Sequence, residues 1–136
     1  MSLHRESVFP PEMPKRLVNG VPVYAPVVTV VPGKLIFVSG MLARDNAGNL
    51  VGKGDMAAQI RQIGENLKTA LAAAGAELSD IVRTLTFTTD IDEFFRHVEV
   101  RMQYLGPTST SATIGISRLS HPDFMVEVEA IAVIPA

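Results

Sequence analysis

Apolar and polar positions along the chain change their period from block to block, and each block predicts an element. Val27-Val-Thr-Val-Val31 and Leu35-Ile-Phe-Val-Ser39 are β-branched or aromatic runs around a Pro32-Gly33 turn signal, which predicts a β-hairpin. Asp45 to Asn49 is a loop rich in residues that tolerate left-handed backbone. From Asp55 to Ala74 the apolar residues Met56, Ile60, Ile63, Leu67 and Leu71 recur at steps of four, three, four and four, one stripe of an amphipathic helix. Asp55 suits the N-cap of this helix and Gly75 its C′ position. Gln59, Glu65, Asn66 and Lys68 fall away from the stripe.

Ile81 to Thr89 alternates as a strand, with Ile81, Leu85 and Phe87 on one face and Val82, Thr84, Thr86 and Thr88 on the other. Asp90 followed by Glu93 has capping-box spacing and starts a second helix through about Tyr104, with Phe94, Val98 and Met102 or Leu105 as its core residues. Thr110 to Leu119 places Ala112, Ile114 and Ile116 opposite Ser111, Thr113, Gly115 and Ser117. The last strand, about Met125 to Ile134, sets Val126 and Val128 opposite Glu127 and Glu129. Residues 1–22 carry Pro10, Pro11, Pro14 and Pro22 without sustained periodicity and are expected to form an extended arm before a single domain over 23–136.

The order hairpin, helix, strand, helix, strand, strand predicts an α+β sandwich with helices on one sheet face. A second face bearing Thr84, Thr86, Ser111, Thr113, Ser117 and Glu127 has too little side-chain volume for another dry core. Either it is simply wet or, as we expect, it is where subunits meet, with a cleft at the seam.

Composition narrows the function classes. At 136 residues, 47% hydrophobic and 19% charged, the chain is one globular domain. Its net charge is −2 and no basic run matches a phosphate backbone, so neither nucleic acid nor membrane is an expected partner. Its apolar runs are shorter than the roughly 20 residues of a membrane span, and no signal segment opens it, so a cytoplasmic location is expected. The absence of cysteine removes disulfides and thiolate chemistry. His4, His97 and His121 have no metal-ligand spacing, and Gly52-Lys-Gly54 is too short for a phosphate loop. Neither a metal nor a cofactor is expected.

Glu127 and Glu129 are the best candidates for acid–base chemistry. Residues two apart on a strand share a face roughly 7 Å apart, and like charges on a covered face resist ionising together. The plain alternative is a solvated sheet edge.

Tyr24, Gly33-Lys-Leu-Ile-Phe-Val-Ser-Gly40, Gln59 to Gly75 with Glu65-Asn66-Leu67-Lys68, Asp80-Ile-Val, Asp90-Ile-Asp-Glu-Phe94 and Val126-Glu-Val-Glu-Ala-Ile-Ala132 resemble, in order and spacing, the Rid family, also called YjgF-type or L-PSP. The resemblance spans about Val23 to Ile134. It implies a chorismate-mutase-like (bacillary type) α+β fold, one mixed sheet with two helices on one face, and a homotrimer with a small-molecule cleft between subunits. Active deaminases of the family hydrolyse reactive imines and enamines to ketoacids and ammonia. By resemblance Glu127 is the catalytic residue that positions water, and Tyr24 and Ser39 line the cleft.

One match is missing. An arginine that binds the substrate carboxylate in the family is replaced by Ser111, and Arg118 points to the opposite strand face. A cleft asparagine is replaced by Val98, and Arg101, one helical turn on, can reach the same cleft. Without the strand arginine a carboxylate ligand loses charge-assisted hydrogen bonds worth about 1.5–3 kcal/mol each. The resemblance therefore implies an imine or enamine deaminase with an altered substrate, with Ser111 and Arg101 among its binding residues. The alternatives are a non-catalytic ligand-binding or interaction trimer and, disfavoured by the acidic balance, an endoribonuclease.

Overall fold

The computed structural model describes residues 4–31, 33–107 and 109–136. Its main sheet has four strands: β5 (Lys34–Met41), β6 (Ile81–Thr88), β7 (Thr110–Gly115) and β8 (Val126–Ile134). They are ordered β5-β8-β6-β7, with β6 and β7 parallel and the other pairs antiparallel. The sheet is therefore mixed. Its helical layer consists of α1 (Met56–Ala73), α2 (Ile91–Arg96) and α3 (Val98–Tyr104). The remaining strands are β1 (His4–Val8), β2 (Leu17–Val18), β3 (Val21–Pro22) and β4 (Val27–Val31).

β4 and β5 do not form the expected hairpin. β4 pairs antiparallel with β1 from His4↔Val31 to Val8↔Val27, while β5 pairs with β8. The physical reason lies in the turn signal, although Pro32 itself is outside the described residues. The turns that fit a two-residue hairpin need positive φ at their first central residue, which proline cannot adopt. The N-terminal segment supplies β1 instead and is tied down farther along by Arg5, whose Nη1 and Nη2 donate to Ser79 O (2.6 Å) and Ile81 O (2.7 Å).

α1 follows its periodicity. Asp55 Oδ1 accepts from Ala58 N–H at 3.0 Å at the start. At the end Gly75 takes φ +79°, Ala76 N–H bonds Leu71 O, and Gly75 N–H bonds Ala72 O, the paired bonds of a Schellman stop. Met56, Ile60, Ile63, Leu67 and Leu71 are all buried. Gln59 is buried with them, contrary to expectation, because its amide is fully used: Nε2 donates to Gly52 O (3.0 Å) and Asp123 O (2.9 Å), and Oε1 accepts from Met125 N–H (2.9 Å). A Cβ on Gly64 would overlap the Tyr104 ring, so this glycine lets α3 lie close on α1.

The second helix is broken at His97 (φ −110°, ψ 27°), leaving α2 and α3. Asp90 Oδ1 caps α2 by accepting from Glu93 N–H (3.0 Å), but Glu93 turns forward to Arg96 (2.6 Å) and His97 (2.9 Å), so only half of the capping box forms. After the restart, Val98 and Met102 are only half-buried, while Arg101 joins Phe94 and Leu105 in the interior.

The largest departure is in the sheet. Ile81 pairs with Ala132, but Arg83 pairs with Ile131, so a bulge at Val82–Arg83 adds one residue to β6. A one-residue slip sends every later side chain to the other face. Thr84, Thr86 and Thr88, at 0%, 1% and 0% exposure, therefore lie under the helices opposite Ala130, Val128 and Val126. Leu85 and Phe87 share the open face with Glu129 and Glu127.

Candidate functional site

The covered face ends in a cleft at the free edge of β7. Ser111 and Thr113 pair with Thr84 and Thr86 and so face the helical layer. Together with Arg16, Tyr24, Phe95 and Arg101 they line a cleft of about 270 Å³, to whose wall Ala112 and Val23 also contribute. Arg101 is 3% exposed, and its Nη1 donates to Val23 O at 3.1 Å. Burial lowers its pKa to about 10, with a further contribution from the charge of Arg16. Arg16 stacks on Phe95, its guanidinium carbon 4.6 Å from the ring centre. Behind the lining, Thr84 Oγ1 and Thr86 Oγ1 are buried and make no hydrogen bond among the described residues.

The open face holds the carboxylates. Glu127 stands opposite Phe87, whose other neighbour is Ile114. Across β8, Ser39 and Gly40 sit in a second irregularity, between the pairs Val38↔Ala130 and Met41↔Val128. Gly40 gives the carboxylate its room there, since a Cβ would overlap Glu127 Oε1 and turn that side chain away. Burial, and secondarily the charge of Glu129, raise the Glu127 pKa above the ordinary carboxylate value. Around the pair the face is apolar and uncovered: Leu35, Phe37 and Ile114 are 60%, 72% and 42% exposed.

The sheet thus divides the residues singled out from the sequence. Tyr24, Arg101 and Ser111 come together on the covered side, and Ser39 and Glu127 belong to the open side. This corrects the expected grouping of Thr84, Thr86, Ser111 and Thr113 with Glu127 on one face, and the cause is the β6 bulge. Arg16 and Phe95 were missed because both stood as ordinary helix or arm residues. Gly40 was visible as a glycine directly after a strand, but its partner was not. His121 is exposed in a loop, its Nδ1 accepting from Asp123 N–H (3.1 Å).

Residues 18–134 match the family model described as Endoribonuclease L-PSP. The chain belongs to this family. Among relatives of this L-PSP, or Rid, protein, Protein DfrA of Myxococcus xanthus is 40% identical over 111 residues, covering 81% of this chain and 84% of DfrA. A Rid-family protein of unknown function from Yersinia pestis, YyfB, superposes with a TM-score of 0.82 at 28% identity, covering 96% of this chain and 98% of that one. TdcF of E. coli, solved with bound serine, gives a TM-score of 0.66 at 31% identity, with 74% of this chain and 81% of TdcF covered. The α+β architecture with a mixed sheet is that of the family's solved structures. Among the described residues no helix is long and apolar enough to cross a membrane.

Proposed function

We propose that this Rid protein is a homotrimer that binds a small metabolite between copies and hydrolyses a C=N bond there. The observation that carries this reading is the seating of Glu127: a carboxylate pressed against the backbone at Gly40, its pKa raised, in an apolar sheet face that lacks a cover. A second copy is the cover of matching character, since symmetric association buries the same patch on each subunit. The cleft of Tyr24 and Ser111 opens at the edge of β7, where a neighbouring copy can bring Glu127 and Ser39 to it. Serine bound to TdcF supports a ligand of metabolite size.

In this mechanism the Glu127 carboxylate accepts a hydrogen bond from water and aims its oxygen at the imine carbon. The new C–O bond forms as a proton reaches the nitrogen, and the carbinolamine then loses ammonia as C=O forms. Tyr24, Ser39 and Ser111 hydrogen-bond the substrate. The test compares wild type with Glu127→Gln on 2-aminoacrylate and on carboxylate-free imines. A loss of about 10²–10⁴ in rate is expected for the variant; equal rates at background level would end the catalytic reading. That result would leave a non-catalytic binding trimer, which the separation of Glu127 from the cleft within one chain already favours as the second reading.

A further inference from the structure

The β2–β3 hairpin straps one wall of the cleft and is latched at its tip. At its base Val23 N–H bonds Arg16 O (3.0 Å), and the Arg16 guanidinium lies over the Phe95 ring of α2. At its tip Asn19 Nδ2 donates to Glu99 Oε1 of α3 at 3.1 Å. Between base and tip β2 and β3 share the pairs Leu17↔Pro22 and Val18↔Val21. So short a ribbon has little of its own to keep it closed. Asn19 and Gly20 form the turn, with φ of 52° and 77°, the two positive values of a type I′ turn, which suit this dipeptide.

The same dipeptide is chemically weak. Asparagine is thermolabile, and a following glycine has no Cβ to shield its main-chain nitrogen from the carboxamide. Both residues are exposed, and a Cβ on Gly20 would meet nothing within 4 Å. Asn46, Asn49 and Asn66 precede alanine or leucine instead, and Asn66 is also held by donating to Leu42 O and Arg44 O. We propose that Asn19 is a site of spontaneous deamidation, and that its conversion unlatches the hairpin from α3 and loosens this wall of the cleft. The turn must relax for the reaction, and an exposed ribbon of this length opens locally at small cost. The Gly20 nitrogen then bonds to Asn19 Cγ, the Cγ–Nδ2 bond breaks, and ammonia leaves with the nitrogen's proton, closing a succinimide. Water opens either carbonyl of that ring, giving aspartate, or isoaspartate with the main chain routed through Cγ. Aspartate sets a carboxylate against Glu99, where an N–H donor stood. Isoaspartate lengthens the main chain of a two-residue turn, which cannot then keep the Val18↔Val21 register.

The test ages the purified full chain in mildly alkaline buffer and follows it by peptide mass mapping and by enzymatic methylation of isoaspartate. Asn19 is expected to gain one mass unit about tenfold faster than Asn46, Asn49 or Asn66. Hydrogen–deuterium exchange then reads the strap. In the aged form, separated by ion exchange, and in Asn19→Asp, the amides of residues 16–24 are expected to exchange a few-fold faster than in fresh wild type, with the rest of the chain unchanged. Adding Glu99→Gln to Asn19→Asp is expected to restore slow exchange, because the new amide can donate to the new carboxylate. Conversion of Asn19 no faster than that of the other asparagines overturns the modification site. Unchanged exchange at residues 16–24, or faster exchange that Glu99→Gln leaves in place, overturns the latch. None of these readouts uses turnover, so a chain that hydrolyses no imine leaves them untouched, and loss of the latch leaves the role of Glu127 untouched.

Discussion

The covered face of the sheet packs an apolar core of Ile36, Val38, Val126 and Val128 against α1, whereas the open face of the same four strands has no such layer over it. Under the helices, where a dry core is expected, β6 presents three threonines, and α3 adds a buried arginine. Toward the open side the same sheet presents Leu35, Phe37, Phe87 and Ile114 around two glutamates. A face that is apolar and uncovered calls for a partner surface; the polar β6–β7 part of a face that is covered and otherwise apolar calls for a ligand or an internal hydrogen bond. The two halves of the candidate site answer these two demands.

The contrast can be tested first by emptying each side. Leu67 is fully buried against the sheet, so Leu67→Ala is expected to cost about 2–5 kcal/mol in denaturant unfolding. Leu35→Ala on the open face costs under about 0.5 kcal/mol in the isolated chain. A comparable loss at both positions would show that the open face is covered even in dilute solution.

Next in size is Phe37→Asp. If copies cover this face, burying the charge weakens association by about 2 kcal/mol or more, visible as dissociation in sedimentation velocity with unchanged far-UV circular dichroism. Wild type sedimenting as a monomer would remove the partner from this side altogether.

A smaller effect sharpens the view of the covered face. Thr86 Oγ1 is buried without a partner, so Thr86→Val removes an unmet desolvation cost and is expected to stabilise the fold by about 1 kcal/mol in thermal or denaturant unfolding. Destabilisation would mean that the hydroxyl has a working partner in solution.

The gentlest test is pH. The raised pKa of Glu127 means that the folded chain holds this proton more tightly than the unfolded chain. Its contribution is complete below the unfolded value, about 4.3, and is lost as pH rises through the folded value. Glu127→Gln cannot lose a proton, so its stability relative to wild type is expected to improve from pH 4 to pH 7 in paired denaturant titrations. A difference that stays constant with pH would place Glu127 in full contact with water.

Legibility in the sequence followed the physics of each signal. α1 was readable throughout because its stripe, its Asp55 cap and its Gly75 stop are local and agree. The strands were readable as strands, yet the face of β6 was not, since Val82-Arg83 carries no residue that marks a bulge and a slip of one position inverts the remainder. Strand partners also escaped, because β5 takes β8, whose paired residues lie 87 to 100 positions further along the chain. Glu127 stood out through the unusual Glu-Val-Glu of a buried-type strand. Gln59 looked like surface because a polar residue is read as solvated unless its three partners are known, and those come from two distant loops. Arg101 reads as a helix-surface residue for the same reason, although its place near Val98 identified it as able to reach the cleft.

The three hydrogen bonds of Gln59 also set a clock on the last strand. Met125 N–H, two residues before Glu127, is held by a side chain of α1 rather than by a neighbouring strand. Exchange of that amide with solvent deuterium then requires the helix and the 123–125 loop to part, a larger opening than strand fraying. The backbone leading to Glu127 should therefore exchange at the slow rate of the core, and Gln59→Ala should release it selectively.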